Sequence, residues 1–280
     1  MPFINFTIKN TLNYVLNLQS ISKMMKKVFQ VAEFIKYLIG AKHWRGHGVH
    51  SPFMYDFVRN TLMKAHKQPN SRLYERAFNK IAPKYIEQST FGAKCKSGCI
   101  TSNTQFRKIS ITPKYGKLLN NIVKNYQPRH ILELGSGLGV SSFYLAYQNL
   151  KTQIVSVEGM SSYASISSKC MEALDIKNVS IKTCSFEDYL NCLDKELFDL
   201  VFIDGSHSYS STISYVDGIM RHTSSNAFII IDDIRWSAEM QLAWNKIKEH
   251  SKVRVSVDLG RMGMLFLNPE LQKEEYVIRY

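Results

Sequence analysis

This chain has no run of about 18 uninterrupted apolar residues, so no segment has the form of a membrane-crossing helix. Residues 1–22 place Ile4, Phe6, Ile8, Leu12, Val15 and Leu16 at mixed spacing, broken by Asn, Thr and Lys. They lack the continuous apolar stretch and small-residue cleavage site of a secretory signal. Met24-Met25-Lys26-Lys27 offers a second candidate start, which would leave residues 1–24 upstream of it. Cysteine is scarce and odd in number: five, with no regular framework, which points to a reducing, cytoplasmic compartment. Cys95 and Cys99 have no third cysteine at 102, where Ser102 stands, and read as reduced loop thiols. His43, His47 and His50 have no cysteine or carboxylate nearby to complete a zinc set, and His47 and His50 read as turn or substrate-contact residues. Internal repeats and low-complexity tracts are also missing.

Acidic residues are scarce in the first half of the chain. Residues 1–128 carry 21 Lys and Arg against 4 Asp and Glu, and residues 129–280 carry 15 against 19, within a net charge of +13. The front is therefore basic and the back mildly acidic. A basic front suits an anionic acceptor, a nucleic acid or a membrane surface, or else a solvated face that aids solubility.

With 280 residues and 45% apolar content, the chain can hold one large domain with a smaller appendage. The expected boundary separates a basic helical extension, residues 1–112, from residues 113–280. Val28, Phe29, Val31, Ala32, Ile35, Leu38 and Ile39 fall at helical spacing and predict an amphipathic helix that packs on something else. Whether that is the catalytic half or a second copy stays open, so a homodimer is one expectation. Ser51-Pro52 predicts the start of a second helix, to about Lys64. A third is expected from Arg72 to Ile86, and residues 87–112 read as a loop or flap. From Pro113 onward, strands at 129–134, 153–158, 178–183, 198–203 and 227–232 alternate with helices, and residues 252–259 and 264–267 flank Gly260-Arg261-Met262-Gly263. The expected fold is α/β: a doubly wound, mostly parallel seven-stranded sheet with a C-terminal antiparallel hairpin.

In such sheets, ligands bind at the carboxyl ends of the strands, where strand order reverses. The first strand ends in Glu133-Leu134-Gly135-Ser136-Gly137-Leu138-Gly139, with Ser141 and Ser142 in the following helical turn. Glycine lets a ligand lie against the backbone, and the exposed N–H groups and hydroxyls suit a carboxylate or phosphate. Glu158 ends the second strand and is suited to a ribose diol. Ser185 and Phe186 follow the third, at the height of an adenine. Asp204-Gly205-Ser206-His207 ends the fourth strand and Asp232-Asp233 the fifth.

Residues from about 105 to 268 resemble the class I S-adenosylmethionine-dependent methyltransferases. More narrowly, they are similar to the metal-dependent small-molecule O-methyltransferases, of which the catechol enzyme is the familiar member. The combination of Glu133-Leu134-Gly135, Glu158, Asp204 and Asp232-Asp233 carries the resemblance. It implies a Rossmann-like domain in which Glu133, Gly135, Ser136, Gly137, Ser141, Glu158, Ser185, Phe186 and Asp204 bind S-adenosylmethionine. It also implies a Mg2+ or other divalent cation on Asp204, Asp232 and Asp233, with Asp233 where the family has Asn. His207 stands where the catechol enzyme has its lysine base, so His207 and Asp204 are the expected catalytic pair. The implied reaction is O-methylation of a small-molecule or sugar-like acceptor, with an anionic acceptor suited to the basic front.

Two alternatives compete. In one, the basic front binds RNA for a nucleic-acid methyltransferase, but the fourth strand ends in Ile-Asp-Gly-Ser, without the Asn/Asp-Pro-Pro-aromatic motif, and no Pro-Cys nucleophile occurs. In the other, the chain is a non-methyltransferase nucleotide-binding protein. Its turn, Gly-x-Gly-x-Gly, is one residue short of the dinucleotide fingerprint.

Overall fold

The computed structural model describes residues 24–42, 46, 48–64, 70–88 and 98–280. Cys95, His43, His47 and the upstream segment 1–23 lie outside the described residues. Helix α1 spans 24–40, as its periodicity predicts. Helix α2, Pro52–Asp56, starts with proline in its first turn, and the Ser51 hydroxyl accepts from the Met54 amide; the chain continues as a π-helical turn, Phe57–Leu62. Helix α3, Ser71–Ile81, is capped by the Asn70 side chain and ends before the residue expected. The expected loop at 87–112 is corrected. Strands β1, Tyr85–Glu87, and β2, Cys99–Thr101, pair antiparallel, and α4, Ser102–Ile109, follows. The Thr101 hydroxyl caps α4, and Phe106 packs 4.4 Å from Phe78 between ring centroids, so one aromatic anchors a segment too polar to show a pattern.

Helix α5, Pro113–Tyr126, leads into the main sheet. Its elements in chain order are β3 His130–Leu134, α6 Val140–Ala146, β4 Gln153–Glu158, α7 Ser161–Ala173, β5 Val179–Thr183, α8 Phe186–Asn191, β6 Phe198–Ile203, α9 Tyr209–Ile219, β7 Thr223–Ile231, α10 Ala238–Lys248, β8 Val255–Asp258, β9 Gly263–Phe266 and β10 Glu274–Val277. The spatial order is β10-β8-β9-β7-β6-β3-β4-β5. Strands β3 to β7 are mutually parallel, and β9 runs antiparallel to both β7 and β8. The sheet thus has an eighth strand beyond the expected seven: β10 lies parallel to β8 at the edge. Of its four residues only Tyr276 is buried, so it carries no apolar run to mark it in the sequence.

Side chains alternate across the sheet as the strand period requires. Ile131, Leu200, Phe202, Phe228 and Ile230 face the layer of α5, α6 and α7, whereas Leu132, Leu134, Val201, Ile203, Ile229 and Ile231 face α9 and α10. The front helices join the first layer. Met54, Phe57, Val58, Tyr74 and Phe78 belong to the same core cluster as the sheet residues, and the Phe57 ring meets Phe266 edge-on at 5.3 Å. The segments from α2 to α3 therefore bury their apolar residues in the core they share with the sheet rather than enclosing one of their own. Phe57→Ala is expected to cost about 3–5 kcal/mol in urea unfolding. Helical circular dichroism and tryptophan fluorescence should lose their signals together, and two separated transitions would show instead that the front folds independently.

Candidate functional site

Strand order reverses between β3 and β6, where β4 and β5 continue on one side and β7 on the other. Their carboxyl ends are knit directly. The Gly135 amide donates to the Val157 carbonyl, the Asp204 amide to Leu134 and the Asp232 amide to Ile203, each at 2.9 Å. Gly135 has φ +103°, and a Cβ there would lie 2.1 Å from the Asp204 carbonyl oxygen. The turn closes only with glycine at that position.

A cavity of about 440 Å³ opens over these ends, within the range of roughly 300–1,000 Å³ usual for small-molecule sites. Gly135, Ser136, Gly137 and Ser141 line it from the β3 turn, Glu158 from the end of β4, Ser185 and Phe186 from the start of α8, and Asp204 and His207 from the end of β6. The Glu158 Oε2 accepts from the Gly137 amide at 2.8 Å and Oε1 from the Met160 amide at 2.9 Å. The Gly159 amide also bonds this carboxylate, which keeps acceptor capacity for a further donor. Burial raises the Glu158 carboxyl above its ordinary value against the pull of those amides. Ser136 belongs to the cavity wall, and its Oγ is buried without a hydrogen-bond partner in the protein. The Ser185 hydroxyl caps α8 by accepting from the Asp188 amide, and the Phe186 ring lies against Gly205, where a Cβ would sit 2.5 Å away.

Glu133, Asp232 and Asp233 are not in the cavity wall. The Glu133 carboxylate is fully buried beneath the turn, where Ser142 and Ser156 donate to its Oε2. Burial raises its pKa, opposed by the serine hydroxyls. Its place is structural: it ties α6 and β4 to β3.

The three aspartates expected to hold a cation are engaged differently. Asp232, 1% exposed, faces Arg261 from the β8–β9 turn: Nε donates to Oδ1 at 2.8 Å and Nη2 to Oδ2 at 2.5 Å. The same Nε stands 3.2 Å from Asp233 Oδ1. Burial pushes Asp232 up, helped by the Asp233 charge and opposed by Arg261. Burial alone would lower the guanidinium, but the aspartates overcome it and hold the group charged, above its ordinary value. The guanidinium already engages two of the three expected ligands, and among the described residues no group of three or more His, Cys, Asp and Glu is arranged to hold a metal. The donor set does not fit the expected cation.

His207 lies between the two halves of this cluster. Its Nε2 is 3.8 Å from Asp204 Oδ1 and 4.0 Å from Asp233 Oδ2, close enough for charge interaction and too long for a hydrogen bond. Ser206, His207 and Asp233 all have positive φ, at 62°, 41° and 54°. Such backbone persists only where surrounding structure enforces it, and it collects at working sites.

Several wall residues escape the motifs. Tyr215 of α9 donates to Glu187 Oε1 at 2.6 Å and meets Phe186 edge-on at 5.4 Å. Tyr163 of α7 and the segment Ile109–Ile111 also line the cavity. Within helices these residues look like core positions, so no spacing distinguishes them. Among the described residues of the first 112, only Ile109, Ser110 and Ile111 reach the cavity wall; the front otherwise packs on the helical layer.

Comparison with known proteins agrees with this geometry. Residues 132–234 match the model of a family described as a methyltransferase domain. The fold is shared with an O-methyltransferase from Bacillus cereus solved in complex with SAH, at 17% identity and a TM-score of 0.54, covering 71% of this chain and 92% of that one. An SAH-bound methyltransferase from Podospora anserina matches at 15% identity and a TM-score of 0.55, covering 77% and 96%. An O-methyltransferase from Streptomyces achromogenes solved in complex with SAM matches at 20% identity and a TM-score of 0.50, covering 58% and 85%. No curated protein matches the sequence. The chain carries a methyltransferase domain, on the α/β fold that resemblance to the class I enzymes leads one to expect.

The buried Glu133 gives a pH test. Its native pKa lies above the usual 4.5, so between the two values the native state binds more protons than the unfolded one. Stability from this group is complete below pH 4.5 and is lost as pH rises through the native value. Glu133→Gln keeps an acceptor for the two serines and removes the titration. The urea midpoint of the variant should fall less between pH 4.5 and neutrality than that of the wild type; parallel profiles would place the Glu133 shift elsewhere.

Proposed function

We propose that the chain transfers a methyl group from S-adenosylmethionine to a hydroxyl of a small-molecule acceptor, without a divalent cation. The observation that carries this reading is the cavity at the β3–β6 switch point. It holds a glycine turn against which a ligand can lie and, at the end of β4, the Glu158 carboxylate, fixed by the Gly137 and Met160 amides in the cavity wall. When bound, the cofactor supplies an activated methyl group on a sulfonium centre. Gly135, Ser136 and Gly137 hold its methionine portion and Ser141 its carboxylate; Glu158 takes the ribose hydroxyls, and Ser185 with Phe186 flank the adenine.

His207 is the base. The acceptor hydroxyl gives its proton to the imidazole, and the neighbouring Asp204 and Asp233 carboxylates, about 4 Å from Nε2, stabilise the imidazolium that forms. Asp204 thereby orients the base and borders the cofactor. In place of a metal, Arg261 neutralises Asp232 and keeps Asp233 in position beside the histidine. A basic front suits an anionic acceptor.

Calorimetric titration of S-adenosylhomocysteine is expected to give one-to-one binding, equal with magnesium and with chelator. Glu158→Ala should weaken it by about 10- to 100-fold, the loss of a charged hydrogen-bonding partner. Absence of binding to folded wild-type protein would overturn the cofactor, and magnesium-dependent binding would overturn the metal-free reading. Once an acceptor is found, His207→Ala should lower kcat by about 10²- to 10⁴-fold with little change in S-adenosylhomocysteine affinity.

A further inference from the structure

Helix α1 is docked with its polar side inward. Glu33, 2% exposed, accepts from Arg235 at 3.1 Å and Lys36 at 2.6 Å, and Gln241 also donates to it. Gln30 donates to the Trp236 carbonyl at 3.0 Å, and the buried Tyr37 hydroxyl to Ile278 at 2.8 Å. Met24, Val28, Val31, Ile35, Leu38 and Ile39 then point to solvent, each between 38% and 78% exposed. At 3.6 residues per turn, these residues with Met25, Ala32 and Phe34 cover an arc of about 180°, with Lys27 near one edge and Lys36 at the other. Rotating the helix to hide this arc would break a buried ion pair and bury lysine instead. The outward apolar face is therefore enforced.

We infer that α1 seats this face on an anionic membrane surface. The arc is far wider than the narrow stripe of a two-stranded coiled coil. Its borders are lysine, the helix's one acidic residue is turned inward against Arg235, and residues 1–128 carry a large positive excess. Two copies of this face would bring lysine against lysine, with no outward acid on the helix to answer it. A bilayer interface supplies apolar depth beneath the arc and anionic headgroups at its edges. At 17 residues, the helix is about 25 Å long; no described helix is long and apolar enough to cross a membrane, so α1 lies in the interface plane. The seat adjoins the site: Lys26 stands 3.9 Å over the Trp236 ring, whose centroid is 6.2 Å from that of His207. Resting on the methyl-transfer reading, this brings His207 within about one helix width of the bilayer and favours an amphiphilic acceptor.

The test is cosedimentation of the full chain with vesicles of phosphatidylcholine plus phosphatidylglycerol, against phosphatidylcholine alone, with solution mass measured in parallel. The expected result is a monomer that binds the anionic vesicles. Val31→Glu with Ile35→Glu should abolish binding, and Lys27→Glu should weaken it about tenfold or more. All three positions are exposed and none pairs with Glu33, so both variants should keep the wild-type melting temperature. Their unchanged affinity for S-adenosylhomocysteine separates this proposal from the cofactor reading, which that titration tests alone. A dimer that Val31→Glu with Ile35→Glu dissociates would overturn the proposal in favour of a second copy. A monomer that ignores anionic vesicles would also overturn it.

Discussion

The pairing of Arg261 with Asp232 is the contact on which the catalytic end of the sheet depends. It joins the carboxyl end of β7 to the β8–β9 turn across 29 residues of sequence, and the Ile234 amide reinforces it by donating to the Arg261 carbonyl at 3.0 Å. A carboxylate as buried as Asp232 stays charged only with a partner that satisfies both oxygens. A bidentate guanidinium meets that demand, and a single fork fixes both distance and orientation. The rest of the cluster follows from this geometry. With Asp232 turned to Arg261, Asp233 adopts positive φ and turns one oxygen towards Arg261 and the other towards His207.

That arrangement explains why three aspartates at metal-like positions need not bind a metal. A divalent cation and a guanidinium answer the same electrostatic problem, and the chain has supplied the second answer in covalent form. The positive charge lies outside the cavity wall, where it steadies Asp232 and Asp233. Glu133 solves a similar problem on the other side of β3 with serine donors instead of a cation, and burial raises both carboxyls against the pull of their partners.

The sequence revealed most where local rules act alone. The strand-ending motifs at Gly135, Glu158, Asp204 and Asp232 were legible because a parallel sheet delivers every strand's last polar residue to one edge. The continuous apolar runs of β6 and β7 marked their burial on both faces. Tertiary placement was not legible. Arg261 reads as a solvated charge at a hairpin tip, because no local pattern announces a partner 29 residues away. Glu133 and Glu158 both close their strands and look equivalent. One points beneath the turn and the other into the cavity, a difference decided by which face of the pleat each occupies and by the serines packed below. Strand β10 and the β1–β2 pair hold too few apolar residues to be seen, and they form because a neighbouring edge offers unpaired backbone groups.

Helix α1 shows the same limit from the other direction. Its periodicity announces an amphipathic helix, and ordinary experience would bury the apolar stripe. The structure reverses this because Arg235 and Asp258 at the sheet edge form a charged socket that only Glu33 completes: Arg235 bonds both carboxylates, with Nη2 2.5 Å from Asp258 Oδ2. Burying the apolar stripe here would leave that arginine half paired beside buried Asp258, a larger cost than a few exposed aliphatic side chains. Ionic complementarity therefore sets the rotation of the helix, and the hydrophobic effect is left to act on the outward face. The segment that ties α1 to the sheet, Ile234-Arg235-Trp236, follows directly on Asp232-Asp233. The orientation of the outer helix and the geometry beside His207 thus rest on one short stretch of backbone.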